Sequence, residues 1–295
     1  MNKKNASVEK LGETLYVLYV DIMGFKDRVN ATSHQALSRN LYQFREDLKR
    51  WFSPFTKKTN TFKMSMFSDS ILIVDEDSLD GFNRISKAAV GVMYVALQNS
   101  FAVKGAIAKG AFTYDETDQL FFGKALVDAY LLHESLHFYG IIAHHSIEAD
   151  IKESHPKKNA WVKSPISLKG GDSSHYHIAY NLVDNKRKVG VDSTKLYLEQ
   201  LSLIEETVSG IPRMYVDKTI KILEKDSQLF NSLIKKESLK DKAPEDLFPL
   251  SERDERLLLA DAEVGEDVVE GVVAGDVATC NFADGGNGVP EVECQ

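Results

Sequence analysis

The feature that most constrains the fold is an apolar run that ends on a carboxylate and is followed by a glycine. Residues 15–20 form a continuous apolar, β-branched and aromatic run, which is typical of a strand buried on both faces. Asp21 ends the run, and Gly24 then allows a tight turn in which the backbone approaches a ligand closely. This arrangement suits a cation and the phosphates that the cation neutralises. The alternative interpretation is that Asp21 caps the helix that follows.

A second carboxylate lies at the tip of a predicted hairpin. Residues 62–66 alternate between apolar and polar side chains, as in a half-buried strand, and residues 71–74 form another apolar run. The turn between the two runs contains Asp69. An aspartate at a hairpin tip commonly serves the turn itself. Two aspartates at strand ends in one small domain can instead share metal ions, which two-metal sites hold ~3.5–4 Å apart.

The order of the predicted elements indicates the fold class. The patterns predict, in chain order, a strand at 15–20, a helix at 34–51, a hairpin at 61–75, a helix at 80–98, strands at 102–113 and 120–122, a helix at 123–138 and a strand at 140–143. This β-α-β-β-α-β order predicts an α+β fold of the ferredoxin-like palm type, an antiparallel sheet with helices on one face. A strand at 175–180 and helices at 194–208 and 212–237 predict a C-terminal extension.

Composition divides the chain into four segments. We expect a disordered N-terminus at 1–13, the palm domain at 14–150, and a strand and helical extension at 151–242 that packs on the palm or at a dimer interface. The acidic residues 243–295 are predicted to be largely disordered. The segment from residue 251 onward carries 12 acidic residues and two arginines, so the formal charge of −8 belongs to the tail. The near-neutral body argues against a broad nucleic-acid surface.

Cysteine usage and hydropathy indicate the compartment. No apolar run approaches the ~20 residues that a membrane helix needs. The basic N-terminal residues are not followed by the apolar segment of a signal peptide. Cys280 and Cys294 both lie near the C-terminus, so the body holds neither a disulfide framework nor a cysteine–metal site. We therefore expect a cytoplasmic protein with no membrane or nucleic-acid partner.

Five blocks in the same order resemble the class III nucleotidyl cyclases. The segment Tyr-Val-Asp-Ile-Met-Gly-Phe-Lys around Asp21 is similar to the first metal motif of that family, and Phe-Ser-Asp-Ser-Ile falls at the family's hairpin, with Ser68 in place of a glycine. The other three blocks, at 104–110, 123–134 and 141–146, resemble the strand, helix and strand that follow. Together the blocks cover roughly residues 14–150.

The resemblance implies a two-metal site that cyclises a nucleoside triphosphate. Asp21 and Asp69 would bind two Mn²⁺ or Mg²⁺ ions per site, and the family implies the backbone carbonyl of Ile22 as a further ligand. The ribose 3′-hydroxyl would attack the α-phosphorus, which yields a 3′,5′-cyclic nucleotide and pyrophosphate. The backbone N–H groups implied to face the phosphates are those of Met23, Gly24 and Phe25.

Departures from the family bear on the substrate. Ser65 and Leu120 stand where purine cyclases carry the lysine and aspartate that read the base. Val127 and Leu131 stand where the family carries the asparagine and arginine of the transition state, and neither side chain can donate a hydrogen bond. The chain looks more like the pyrimidine cyclases of bacterial Pycsar anti-phage systems. That likeness implies a homodimer with composite sites at its interface, UTP or CTP as substrate, and a partner effector that senses the product.

Two alternatives and the choice of cations stay open. The alternatives are a purine nucleotide cyclase and a catalytically silent nucleotide-binding sensor or dimerisation domain. Because Lys104 and Lys109 are five residues apart on one strand, they must project from opposite faces of the sheet. The candidate cations for the triphosphate are Lys26, Arg28, Lys104, Lys109 and Lys124.

Overall fold

The computed structural model describes residues 12–154, 160–183 and 189–238. Within these ranges the strands are β1 Thr14–Ile22, β2 Lys63–Phe67, β3 Ser70–Glu76, β4 Val103–Asp115, β5 Leu120–Gly123, β6 Ile141–Ala143, β7 Trp161–Leu168 and β8 Gly171–Ile178. The helices are α1 Phe25–Ala31, α2 His34–Thr56, α3 Leu79–Gln98, α4 Lys124–Glu134, α5 Glu148–Glu153, α6 Thr194–Glu205 and α7 Ile211–Ser238. The predictions for the two chain ends fall almost entirely outside the described residues.

The first four strands form the predicted palm. They lie in the order β2-β3-β1-β4 and every neighbouring pair is antiparallel. With α2 between β1 and β2, and α3 between β3 and β4, this is the β-α-β-β-α-β connectivity of a ferredoxin-like fold. The sheet continues through β6, which pairs with β4 in parallel, and ends with β8 and β7. β5 pairs with the far end of β4 outside this path.

Strand β1 lies at the centre of the palm, which explains its continuous apolar sequence. Tyr16, Leu18 and Val20 pack into the main core together with residues of α2 and α3. Val17 and Tyr19, on the alternate face, pack against residues of α4 and the strands around it. The two helices of the palm unit therefore cover one face, as predicted, and α4 adds partial cover to the opposite face.

Two predicted helix ends differ from the structure. Helix α2 begins after Ser33, whose hydroxyl accepts the N–H of Ala36, and it continues to Thr56 through Pro54. A proline in the last turn removes one backbone hydrogen bond but does not stop the helix there. Helix α4 ends at Glu134, four residues earlier than predicted. The chain after it turns beneath α7, where the N–H of Tyr139 donates to the Thr219 hydroxyl at 2.8 Å.

The C-terminal extension is built onto the same sheet. The predicted strand at 175–180 is the last part of β8, and β7 was not predicted. Helices α6 and α7 form as expected, and buried side chains of α7 include Val216 and Leu223. None of the helices in the described ranges combines the length and apolar character needed to cross a bilayer.

Candidate active site

Asp21 and Asp69 lie at the same end of the palm sheet. Asp21 is opposite Ser70 in the β1–β3 register, and Asp69 directly precedes Ser70. The N–H of Ile22 donates to the backbone carbonyl of Asp69 at 2.9 Å, which fixes the hairpin tip beside the end of β1. The backbone thus brings together the two aspartates singled out in the sequence, Asp21 from the end of β1 and Asp69 from the turn between β2 and β3.

The hairpin tip depends on a left-handed residue. Ser68, which replaces the glycine of the resembling motif, has φ of 54°. A non-glycine residue in this region costs about 1 kcal/mol because its Cβ crowds the following carbonyl. The turn keeps Asp69 at the tip in spite of this strain.

The electrostatics of the pair favour a bound cation. The pKa of the Asp21 carboxyl is raised to about 6. The main cause is partial burial, the second is the negative charge of Asp69, and Glu134 acts in the same direction. A divalent ion, which prefers oxygen ligands, would offset the negative charge that disfavours the ionised form of Asp21. The donor set at this end of the sheet thus fits Mg²⁺ or Mn²⁺.

The structure limits how many ligands the chain itself supplies. In the described part of the chain, no three histidine, cysteine, aspartate or glutamate side chains are grouped so as to hold a metal. A metal held by Asp21 and Asp69 therefore needs further ligands from backbone, water or substrate phosphate. Mg²⁺ ordinarily binds proteins in this manner, through one or two carboxylates. The Ile22 carbonyl stays a predicted ligand.

One predicted backbone donor needs correction. The N–H of Met23 donates to the carbonyl of Ala102 at 2.8 Å, so it extends the sheet and does not point at a phosphate. Gly24 has φ of 69° and precedes α1, as the predicted tight turn requires. The phosphate-binding roles of Gly24 and Phe25 stay predictions.

Lys104 is the cation that shares the site with the aspartates. It lies opposite Asp21 in the β1–β4 register and is only 5% exposed. Burial lowers the pKa of the Lys104 ammonium, while the negative charges of Glu134 and Asp21 act to raise it. The buried ammonium therefore balances part of the negative charge of Asp21 and Glu134.

The other four candidate cations have different surroundings. Lys109 projects from the opposite face of β4, as predicted, and there pairs with two carboxylates at 2.9 and 3.4 Å. Arg28 stacks on an aromatic ring with its guanidinium 4.7 Å from the ring centroid, and burial lowers its pKa. Lys26 and Lys124 are exposed. The structure therefore singles out Lys104 among the five.

An aromatic cluster beneath the aspartates was missed in the sequence. The hydroxyls of Tyr19 and Ser70 share a hydrogen bond of 2.8 Å, and the Tyr19 ring packs against His133 with centroids 4.7 Å apart. Tyr130 packs edge-on against the same Tyr19 ring. Burial lowers the pKa of His133, which is 1% exposed. The available signal was the i, i+3 spacing of Tyr130 and His133 on α4.

Ser65 lies on the face of the sheet that carries Asp21, two strands away. Tyr19 of β1 pairs with Leu72 of β3, which pairs with Ser65 of β2, so these three side chains share one face of the sheet. Asp21 lies two residues from Tyr19 on β1 and therefore shares that face. The Ser65 hydroxyl shares a hydrogen bond of 2.7 Å with the hydroxyl of Tyr114. A half-buried hydroxyl pair therefore stands where the resemblance places a base-reading lysine.

Solved structures with a similar fold are nucleotide cyclase domains. The guanylate cyclase domain of RhGC from Catenaria anguillulae, solved with GTP, is 15% identical, with 56% of this chain and 96% of that domain covered and a TM-score of 0.45. The adenylyl cyclase CyaB from P. aeruginosa is 14% identical over 61% of this chain and 98% of its own, with a TM-score of 0.43. Neither the comparison with protein-family models nor that with curated proteins gives a match.

Proposed function

We propose that this chain is a pyrimidine nucleotide cyclase, which converts UTP or CTP to the 3′,5′-cyclic nucleotide and pyrophosphate. The observation that carries the proposal is the meeting of Asp21 and Asp69 at one end of the palm, with a buried Lys104 opposite Asp21. A carboxylate pair that suits divalent ions, beside a buried cation that suits phosphate, matches the charge pattern of a metal–triphosphate complex.

The residues of the chain have separate roles in this proposal. Asp21 and Asp69 hold the metal ions, whose positive charge offsets the burial and the negative charge that raise the pKa of Asp21. When bound, divalent ions favour ionisation of the attacking hydroxyl and neutralise the departing pyrophosphate. Lys104 contacts the triphosphate. The hydrogen bond between Tyr19 and Ser70 ties β1 to the start of β3, next to both aspartates.

The proposal includes a homodimer that forms on the face of the site. Large apolar side chains are exposed on the elements around the aspartates, including Phe67 at 85% and Leu131 at 62% exposure. Val127 lies one turn before Leu131 on α4 and is also exposed. A second copy that covers this surface buries the apolar groups and adds side chains that one chain lacks at the site.

A pyrimidine base is favoured over a purine by the side chains at the two base positions. Ser65 offers a hydroxyl already paired with Tyr114, and Leu120 offers no hydrogen-bonding group. Neither reproduces the charged lysine and aspartate of purine-reading relatives. The cyclic pyrimidine nucleotide would then act as a messenger for a separate effector in anti-phage defence, as the sequence resemblance implies.

The proposal is tested by incubating the purified chain with ATP, GTP, CTP or UTP and Mn²⁺, followed by mass spectrometry. We expect cyclic UMP or cyclic CMP, and no product from Asp69→Asn. A cyclic purine product would support the purine cyclase alternative. Binding of a nucleotide without any cyclic product would overturn the enzyme proposal and favour the silent sensor.

A further inference from the structure

Helix α7 reaches the candidate site through one aromatic residue. The ammonium of Lys104 lies 6.0 Å from the centroid of the Tyr215 ring, and Tyr215 is 6% exposed. Lys104 belongs to β4 of the palm, whereas Tyr215 belongs to the C-terminal extension, more than a hundred residues later. A buried cation of the site is thus in contact with an element outside the palm.

The position of the Tyr215 ring is fixed on several sides. Its hydroxyl donates to the backbone carbonyl of Leu136 at 2.9 Å. The rings of His137 and Tyr139 each have their centroids 5.6 Å from that of Tyr215. One turn further along α7, the Thr219 hydroxyl accepts the Tyr139 N–H and donates to the Tyr215 carbonyl at 2.7 Å. The ring is therefore held by the segment that links α4 to β6.

An aromatic face at this place has a specific effect on a buried lysine. The negative face of the ring attracts an ammonium, and the attraction is stronger when water is excluded. Without the Tyr215 ring, the carboxylates of Asp21 and Glu134 are left to attract the flexible Lys104 side chain. The Lys104 ammonium would then pair with the carboxylate of Asp21 and move away from the proposed triphosphate contact.

We propose that Tyr215 is a positioning residue, which holds the Lys104 ammonium away from Asp21 and toward the triphosphate. Helix α7 is then part of the catalytic unit and not an appendage to the palm. The inference rests on the proposed function, since Lys104 is the group through which Tyr215 acts.

The first test is a double-mutant cycle on the full chain, with KM and kcat measured for the preferred nucleotide. Tyr215→Met, which puts a flexible apolar side chain in place of the ring, should raise KM about 10-fold with a smaller change in kcat, and Tyr215→Phe should keep KM close to that of wild type. In a Lys104→Met background, Tyr215→Met should change KM by less than about twofold. An equal loss in both backgrounds would assign Tyr215 a merely structural role and overturn the inference.

A matched control separates this effect from loss of packing. Val216 is the next residue on α7 and is fully buried in the main core. Val216→Ala should lower the melting temperature while leaving KM within about twofold of wild type, because it leaves the Lys104 contact in place. A KM rise with Val216→Ala equal to that with Tyr215→Met would contradict a specific role for the ring.

A second measurement needs no turnover and keeps the inference separable from the proposed function. Acylation of Lys104 by an amine reagent at pH 8 is followed by peptide mass spectrometry, with Lys109 of the opposite face as internal reference. Tyr215→Met should raise the Lys104 labelling rate about fivefold, because the ring both shields the amine and favours its charged form. An unchanged ratio would overturn the contact. If wild type makes no cyclic product yet the ratio rises, the proposed function fails and the contact stands.

Discussion

Asp21 on β1 and Lys104 on β4 are directly opposed in the antiparallel register, at the end of the sheet where Asp69 also lies. Directly opposed residues share a face of the sheet, so a buried ammonium and the carboxylate proposed to bind metal are neighbours before any ligand arrives. The charge of Lys104 partly offsets the repulsion between the aspartates, and the remaining negative charge is left for a divalent ion.

Replacing Asp21 should stabilise the metal-free protein while abolishing activity. The pKa of Asp21 is raised from 3.8 to about 6 on folding. Above pH 6 the folded state must therefore hold Asp21 in a charged form that its surroundings disfavour, which lowers the stability of the wild type. We expect Asp21→Asn to raise the free energy of unfolding at pH 8 by about 1–2 kcal/mol, discounted for partial exposure. Urea denaturation without metal measures this. The gain should shrink as pH falls from 6 toward 4, and a gain that grows over that range would contradict the electrostatic account.

Metal affinity should decline in mild acid. Below pH 6 the Asp21 carboxyl takes up a proton, and the metal must displace it. We expect the apparent dissociation constant for Mn²⁺ to rise about tenfold for each pH unit below 6. Isothermal titration calorimetry between pH 5 and 7.5 measures this dependence. Affinity that is constant over this range would mean that Asp21 is not a ligand.

Removing the buried cation should weaken nucleotide binding. Lys104→Met keeps the length of the side chain without its charge, and we expect KM for the triphosphate to rise about 10-fold or more. Lys124→Met is the matched control, because Lys124 is exposed on α4 and pairs with Asp128. The control should retain KM within about twofold. Equal effects of the two substitutions would indicate general surface electrostatics instead of a specific phosphate contact.

A charge on the exposed face of α4 should separate the proposed dimer. Leu131→Glu places a carboxylate among exposed apolar groups, and we expect both dimer and activity to be lost with the fold retained. Light scattering coupled to gel filtration gives the mass, and circular dichroism checks the fold. Leu203→Glu on α6, whose leucine is 67% exposed, is the control and should remain dimeric and active. A monomeric wild type with full activity would contradict the composite-site proposal.

The palm was predictable because its signals are local. The apolar run before Asp21 follows from the burial of β1 on both faces, and the apolar residues of the alternating segment 62–66 are those that pack on the main core. The parity rule also placed Lys104 and Lys109 on opposite faces correctly. These patterns depend only on the strand itself and its immediate neighbours.

The remaining elements depend on long-range contacts, which local patterns do not contain. Strand β7 was missed because Pro165 and its polar neighbours do not resemble a buried strand; as the last strand of the sheet, β7 tolerates a proline. The packing of His133 against Tyr19 requires knowing that α4 crosses the second face of β1. The contact of Tyr215 with Lys104 joins two segments whose adjacency no periodicity reveals.

Asp21 and Asp69 are proposed to hold divalent ions together beneath a nucleotide. The most direct test of this proposal is a crystal structure of the protein with Mn²⁺ and a non-hydrolysable UTP analogue, with anomalous diffraction used to locate manganese. The account predicts anomalous density between the carboxylates of residues 21 and 69, in contact with the phosphates. Nucleotide bound with manganese elsewhere, and none at these two carboxylates, would contradict it.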